Sequence, residues 1–306
     1  MKPIIEVKNL TKYYGANLAL SSIDLTFLQH RIHCVVGPNG AGKTTLFKLL
    51  LGLTAPSEGE VVYYGGELKR EVAVLFDHLT LYESMTVDEY LNFMRTVKGV
   101  ENQENPLVEK ILSPLPRHSY CKELSRGQKQ RVSIAATLLS DEVKLLILDE
   151  PLTALDPLSL MEVRDLIKDL GQRASIILSA HQLREVEDIC QDVTILNKGS
   201  VLFNGTMEEV LREGLNCLEV EVAYLGEESS LDNLLSRKEK EEKRESKKKG
   251  LITYTKLRLQ YEKSESEKGQ AALLKKLVEG GLQVVSFRPV ENDLEQVFKR
   301  LMGSGS

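Results

Sequence analysis

The sequence has no pair of cysteines at CxxC spacing. Its four cysteines, Cys34, Cys121, Cys190 and Cys217, are scattered, which argues against a zinc knuckle and a dithiol redox motif. Cys34 and Cys190 stand in apolar stretches (HCVVG, EDICQDV) and read as small buried hydrophobes of a reducing, cytosolic compartment. No window approaches the ~20 apolar residues of a membrane-spanning helix. If the process served is a membrane process, another chain must supply the membrane part. The start, MKPIIEVKNL, alternates like a strand and lacks the basic tip and apolar run of a secretory signal. Neither sign of charge dominates: the net charge of −5 gives no reason to expect nucleic acid or an acidic membrane surface as partner. Internal repeats and heptad runs are also missing.

What is present is an ordinary folded composition, 42% hydrophobic and 28% charged, enough for a sizeable core. At 306 residues, two domains are expected. From residue 4 to about 212, short apolar runs (IHCVVG, EVAVLF, VKLLILDE, ASIILSA, VTILNKG) alternate with helical patterns. Such runs suit buried, mostly parallel strands with helices on both faces. Ahead of them, IIEVKNL and LALSSIDLTF alternate strictly and predict a small antiparallel sheet flanking an α/β core. Residues 85–140 read as a helical insertion punctuated by Pro106, Pro114 and Pro116.

Composition shifts near Gly214. LNCLEVEVAYL, LITYTKLRLQYE and LQVVSFRPV read as strands, and GQAALLKKLVEGG and ENDLEQVFKRLMG as helices. Residues 213–302 therefore predict a compact α+β accessory domain. Inside it, Ser236–Lys249 (SRKEKEEKRESKKK) is almost wholly charged and is expected as a solvated hairpin extension or flexible loop. Its interleaved glutamates weaken a reading as a basic patch for lipid. The final Gly303–Ser306 (GSGS) has the composition of a linker and carries no fold information.

The chemistry begins at Gly37, Pro38, Asn39, Gly40, Ala41, Gly42, Lys43, Thr44 and Thr45 (GPNGAGKTT). This matches G-x-x-x-x-G-K-[ST], with an apolar strand (IHCVV) before it and an apolar-periodic helix (TLFKLLLGL) after it. Glycines let backbone N–H groups turn inward around an anion. The helix behind them points its N-terminal N–H groups and positive dipole end at phosphates. Lys43 is expected to reach the β- and γ-phosphates, and the Thr44 hydroxyl to ligate Mg²⁺. In VKLLILDE, Asp149 ends a buried strand, where ligands bind in open α/β sheets. It is placed to hold Mg²⁺ through water, and Glu150 to polarise an attacking water.

Beyond the cradle, the chain resembles the nucleotide-binding subunit of an ATP-binding cassette (ABC) transporter. LSRGQ (Leu124–Gln128) resembles the signature LSGGQ, and KQRVSIAATLL follows it as a signature helix. TALD (Thr153–Asp156) looks like the D-loop, and SAHQLREVEDIC resembles the switch region around His181. LTKYYG puts Tyr14 where the family stacks an aromatic on adenine. The match covers residues 4 to about 212 in the family's order. The resemblance implies a P-loop cassette fold that hydrolyses ATP with Mg²⁺. It implies that His181 contacts the γ-phosphate, and that Ser125, Gly127, Gln128 and Asp156 belong to composite sites shared with a second cassette, identical or a paralogue. Integral-membrane permease subunits would be partners, nucleic acid would not, and the chain would sit peripherally at the cytoplasmic face.

Two positions depart from the pattern. Asp77 falls where the family has a glutamine that ligates Mg²⁺ and couples to the membrane subunit. A carboxylate still offers oxygen to Mg²⁺, but when ionised it donates no hydrogen bond. Arg126 replaces the first signature glycine, its guanidinium lying either near the γ-phosphate or in solvent. The tail sequence ENDLEQVFKRLMG resembles the closing helix of ATPases serving type-2 ABC exporters. The competing readings are a soluble ABC ATPase outside transport and a non-catalytic partner of a heterodimer. Glu150 and His181 speak against the latter.

Overall fold

The computed structural model describes residues 2–76, 81–100, 105–113, 115–140, 142–213, 217–225, 240–249, 252–260 and 266–289. The chain forms two compact units that divide between Glu208 and Glu209.

The first unit opens with β1 (Pro3–Tyr14) and β2 (Asn17–Leu28), which with β4 (Glu58–Tyr63) make a three-stranded antiparallel sheet in the order β2-β1-β4. Its inward residues, among them Ile5, Leu10, Leu20, Ile23 and Phe27, are buried. They share one core with Leu46, Phe47 and Leu50 of α1 (Lys43–Leu50) and with Val35, Ile147 and Ile177. That core fixes the helix that carries Lys43. Truncating the fully buried Phe47 to alanine would cost roughly 3–5 kcal/mol and loosen the phosphate loop above it.

The central sheet is formed by β3 (Ile32–Val36), β5 (Val72–Leu75), β6 (Leu145–Leu148), β7 (Ser175–Ala180), β8 (Asp192–Asn197) and β9 (Ser200–Thr206). The order is β5-β6-β7-β3-β8-β9. All pairings are parallel except β8 with β9. Every residue of β3, β6 and β7 is buried, which is why these strands read as continuous apolar runs without alternation. The carboxyl ends of β3, β6 and β7 stand side by side. This is the P-loop architecture with its antiparallel subdomain that the sequence predicts.

Between β5 and β6 the insertion is helical. α3 (Val87–Lys98) starts at a Thr86/Glu89 capping box and ends at Gly99 in the left-handed region, φ 64°. α4 (Pro106–Leu112) starts at Asn105 with proline in its first turn. α5 (Arg126–Thr137) is capped by Ser125. The remaining helices of this unit are α2 (Leu68–Glu71), α6 (Pro157–Gly171) and, across the division, α7 (Met207–Glu213).

Among the described residues the second unit has four antiparallel strands, β10 (Cys217–Leu225), β11 (Lys240–Lys249), β12 (Ile252–Gln260) and β13 (Gln283–Pro289), in the order β11-β12-β10-β13. Val220, Val222, Tyr224 and Leu257 pack against Leu273 and Leu277 of α8 (Ser266–Glu279). Of the two expectations for 236–249, a solvated hairpin extension or a flexible loop, residues 240–249 follow the first. Residues 240–249 form a full edge strand, paired from Lys240↔Gln260 to Lys249↔Ile252. The ladder bonds are made by the backbone, so a charged composition forbids burial but not pairing. Charge on an edge also discourages further strand addition. Residues 236–239, Asp77, the ENDLEQVFKRLMG segment and Gly303–Ser306 lie outside the described residues. Among the described residues, no helix is long and apolar enough to cross a membrane.

Candidate functional site

β3 delivers the phosphate loop, and its neighbours hold it from below. Gly37 N–H donates to the Ala180 carbonyl of β7 at 3.2 Å. A Cβ on Gly37 would collide with the Leu196 carbonyl of β8. Gly42, the N-cap of α1, has φ 110°, and a Cβ there would lie 2.6 Å from Leu20 Cδ2. Only glycine meets both demands. Gly199, in the β8–β9 turn, donates its N–H to the Ala41 carbonyl at 2.9 Å.

Above this loop lies an open cleft of about 510 Å³, lined by residues 38–45 together with Tyr14, Asn17, Leu18, Ala19, Glu150 and Lys198. Tyr14 is half exposed at the cleft, with the Lys12 ammonium 5.0 Å from its ring centre. Lys43 is buried, and its Nζ donates to the carbonyls of Gly37 (2.7 Å) and Pro38 (3.3 Å). It also lies 3.4 Å from Glu150 Oε1.

β6 ends in the two acids. Asp149 is buried; its N–H donates to the Leu75 carbonyl of β5 at 2.7 Å. Asp149 Oδ2 accepts from Thr44 Oγ1 at 2.8 Å, and Oδ1 accepts from Ser179 Oγ at 2.6 Å. The Ser179 oxygen in turn accepts the Glu150 N–H at 2.8 Å. Glu150 occupies the left-handed region, φ 53°, a conformation rare for residues with a side chain and frequent at functional sites. Its Oε2 accepts from His181 Nε2 at 2.7 Å. The tertiary structure thus brings Lys43, Thr44, Asp149, Glu150 and His181 to one point, from three strands.

This donor set fits a Mg–nucleotide. Among the described residues, no group of three or more His, Cys, Asp or Glu side chains could hold a metal alone. The neighbouring oxygens of Thr44 and Asp149 suit a hard cation that takes most of its ligands from phosphate and water.

The signature residues stand elsewhere: Ser125, Gly127, Gln128 and Asp156 are absent from the cleft lining. Ser125 Oγ accepts the Gln128 N–H (3.2 Å), and Gln128 Oε1 accepts the Ser125 N–H (2.9 Å). Asp156 caps α6, accepting from the N–H groups of Leu158 and Ser159 and from Ser159 Oγ at 2.6 Å. The Ser159 hydroxyl, with the backbone N–H groups, holds the Asp156 carboxyl below its ordinary range.

Residues 20–153 match the sequence profile of the ABC transporter family. The lipopolysaccharide export system ATP-binding protein LptB of Haemophilus influenzae is 30% identical over 245 residues, 74% of this chain and 99% of LptB. The chain belongs to the ABC transporter ATP-binding family. Another relative, the uncharacterized ABC transporter ATP-binding protein YhcH of Bacillus subtilis, is 34% identical over 213 residues, 66% of this chain and 70% of YhcH. The solved structure of cbiO1 from Clostridium perfringens, part of the ABC transporter complex cbiONQ, has a TM-score of 0.60 at 26% identity and covers 69% of this chain and 91% of its own. As an ABC cassette, this chain binds and hydrolyses ATP.

Three contributors escape motif reading. Ser179 lies on β7, which ends at Ala180 just before His181, and looks like one more strand residue. Only the pairing of β6 with β7 reveals that it ties both acids together. Lys198, in the β8–β9 turn, and Asn17–Ala19, at the start of β2, reach the ABC cleft from segments distant in sequence, and no spacing rule points to them.

Proposed function

We propose that this ABC subunit energises export through separate integral-membrane subunits, with ATP closing two cassettes onto each other. The observation that carries the composite-site part is the separation of roles in one chain. Lys43, Thr44 and Glu150 line the cleft, with Asp149 hydrogen-bonded to Thr44 and His181 to Glu150, whereas Ser125 and Gly127 begin a helix that supplies none of its lining. A signature outside the lining of its own cleft is free to cap the γ-phosphate of another cassette's nucleotide.

In this reading Tyr14 stacks on adenine, and residues 37–45 wrap the phosphates with backbone N–H groups. Lys43 turns from its loop carbonyls to the β- and γ-phosphates. Thr44 and Asp149 would hold Mg²⁺, which would neutralise phosphate charge. Glu150 orients a water towards the γ-phosphorus and takes its proton as the bond to the bridging oxygen breaks; His181 fixes the Glu150 carboxylate. ATP then acts as reversible glue, because the signature contact exists only while the γ-phosphate is in place. The chain sits peripherally at the cytoplasmic face. Asp77 adds a carboxylate at the position of the coupling glutamine; an Asp77→Gln chain with unchanged Mg²⁺ dependence and transport would reject a distinct role for it.

Export is favoured by the name of LptB and by the resemblance of the tail to exporter ATPases. Two measurements test the proposal. Glu150→Gln should lower turnover by at least about a hundredfold while retaining ATP. The native chain should co-purify with a polytopic membrane protein. Full hydrolysis by Glu150→Gln rejects the chemistry, and a membrane-free assembly favours the soluble alternative.

A further inference from the structure

Arg126 is exposed, which agrees with the solvent-facing expectation, and it also makes a tertiary contact. Its Nε donates to the Thr153 carbonyl at 3.2 Å, across 27 residues of chain and into the loop that follows Glu150. Thr153 is itself bound to Glu150 twice. Its N–H donates to the Glu150 carbonyl at 3.2 Å, and its Oγ1 to Glu150 Oε2 at 3.4 Å. The hydrogen bonds therefore run Arg126–Thr153–Glu150 and on to His181 and Lys43.

The same surface is sealed by contacts that involve no arginine at the signature. Gly127 lies so close to α6 that a Cβ would collide with the Ser159 side chain. Ser159 is in turn hydrogen-bonded to the cap residue Asp156. One turn along α5, Arg131 Nη1 pairs with Glu162 at 2.9 Å. The start of α5 and the segment from Glu150 to the first turn of α6 are thus packed as one piece. Glu150 and Ala154 within that segment both have positive φ, 53° and 56°. A loop of strained residues needs external contacts to stay in one conformation.

We propose that Arg126 is a positioning residue that couples the signature of this chain to its own Glu150. When the signature caps the γ-phosphate on the opposite cassette, the Arg126–Thr153 bond carries the resulting constraint to the Glu150 carboxylate. Each cassette then senses, through its signature, that the other is loaded, and aligns its own base accordingly. This rests on the composite-site reading above. It differs from a phosphate contact by Arg126, because the guanidinium acts through Thr153 and not on the nucleotide.

The test uses the full chain and four variants: Arg126→Ala, Arg126→Lys, Thr153→Ala and the Arg126→Ala/Thr153→Ala double. Steady-state hydrolysis over a range of ATP gives kcat, KM and the Hill coefficient. Equilibrium binding of a fluorescent ATP analogue at dilute, monomeric concentration gives Kd, and thermal melting reports folding. Arg126→Ala should lower kcat by about tenfold and bring the Hill coefficient from about two towards one, with Kd and Tm unchanged. Arg126→Lys should recover most of the rate, because its ammonium still donates to a carbonyl. The double variant should be no worse than the poorer single one. Unchanged kcat and Hill coefficient in Arg126→Ala overturn the proposal, as does an effect confined to Kd, or additive losses in the double. Sedimentation of Glu150→Gln with ATP separates the two levels. If no dimer forms, the composite-site reading fails and takes the coupling with it. If the dimer forms and Arg126→Ala is still silent, only the coupling fails.

Discussion

Lys43 Nζ lies 3.4 Å from Glu150 Oε1, with the two side chains only 4% and 13% exposed. The cation meant for phosphate and the carboxylate meant for water therefore neutralise each other, and a nucleotide must part them. In so enclosed a site the pair is poorly screened by solvent. Glu150→Gln removes the competing anion, so it should tighten ATP binding by about threefold to tenfold in calorimetric titration. Lys43→Ala should weaken binding by about ten- to a hundredfold, the worth of a charge-assisted hydrogen bond. Weaker binding by Glu150→Gln would show that Lys43 is not held back by the carboxylate.

Ser179 links the two acids through one oxygen, donating to Asp149 and accepting from the Glu150 N–H. Ser179→Ala leaves that N–H without its partner and one Asp149 oxygen without its donor. We expect a loss of roughly 1–3 kcal/mol in chemical denaturation together with a fall in kcat. Ser179→Thr, which keeps the hydroxyl, should hold kcat better than alanine. Equal activity of wild type and Ser179→Ala would exclude a positioning role.

Lys198 lines the cleft from the β8–β9 turn with φ 46°. Glycine is at ease there, so Lys198→Gly removes the ammonium without straining the turn. ATP affinity should drop by about threefold to tenfold, as for an exposed ion pair with phosphate, while Tm does not fall. An unchanged Kd would place the ammonium outside the nucleotide's reach.

His33, on β3 opposite Ile177 of β7 and Asp192 of β8, is buried beside Phe27, with Nε2 at 2.7 Å from Thr194 Oγ1 and no partner for Nδ1. Burial, helped by the nearby Arg31 charge, pushes its pKa down to about 3. The unfolded chain takes up the proton near pH 6.5 and the folded chain only near 3. Its contribution to stability is therefore complete above pH 6.5 and declines as the pH falls through that window, by roughly 1.4 kcal/mol per unit. Urea titrations between pH 7 and 4 should give a shallower decline for His33→Gln than for wild type. Parallel declines would mean that His33 is not the buried neutral group.

The nucleotide site was legible in the sequence where a local pattern carries the physics. GPNGAGKTT reports itself because glycine at Gly42 answers a backbone demand, φ 110°, that no other residue meets easily. The run LLIL before Asp149 reports a strand buried on both faces. For the charged stretch that becomes β11 the sequence left hairpin and loop both open, because composition speaks for side chains and the ladder to β12 is made by the backbone. Arg126 was seen as a departure from LSGGQ, yet its partner, the Thr153 carbonyl, has no sequence signature at all.

By itself the sequence determined the P-loop core, the order of its motifs and the membership of the ABC family, since each rests on residue types at short spacing. The tertiary structure alone decided which of those residues meet. Parallel pairing of β6, β7 and β3 sets Thr44, Asp149, Glu150 and His181 within hydrogen-bonding reach, and the packing of α5 on α6 aims Arg126 at Thr153. Such contacts join segments far apart in the chain. Their distances follow from strand order and close packing, which no local pattern encodes.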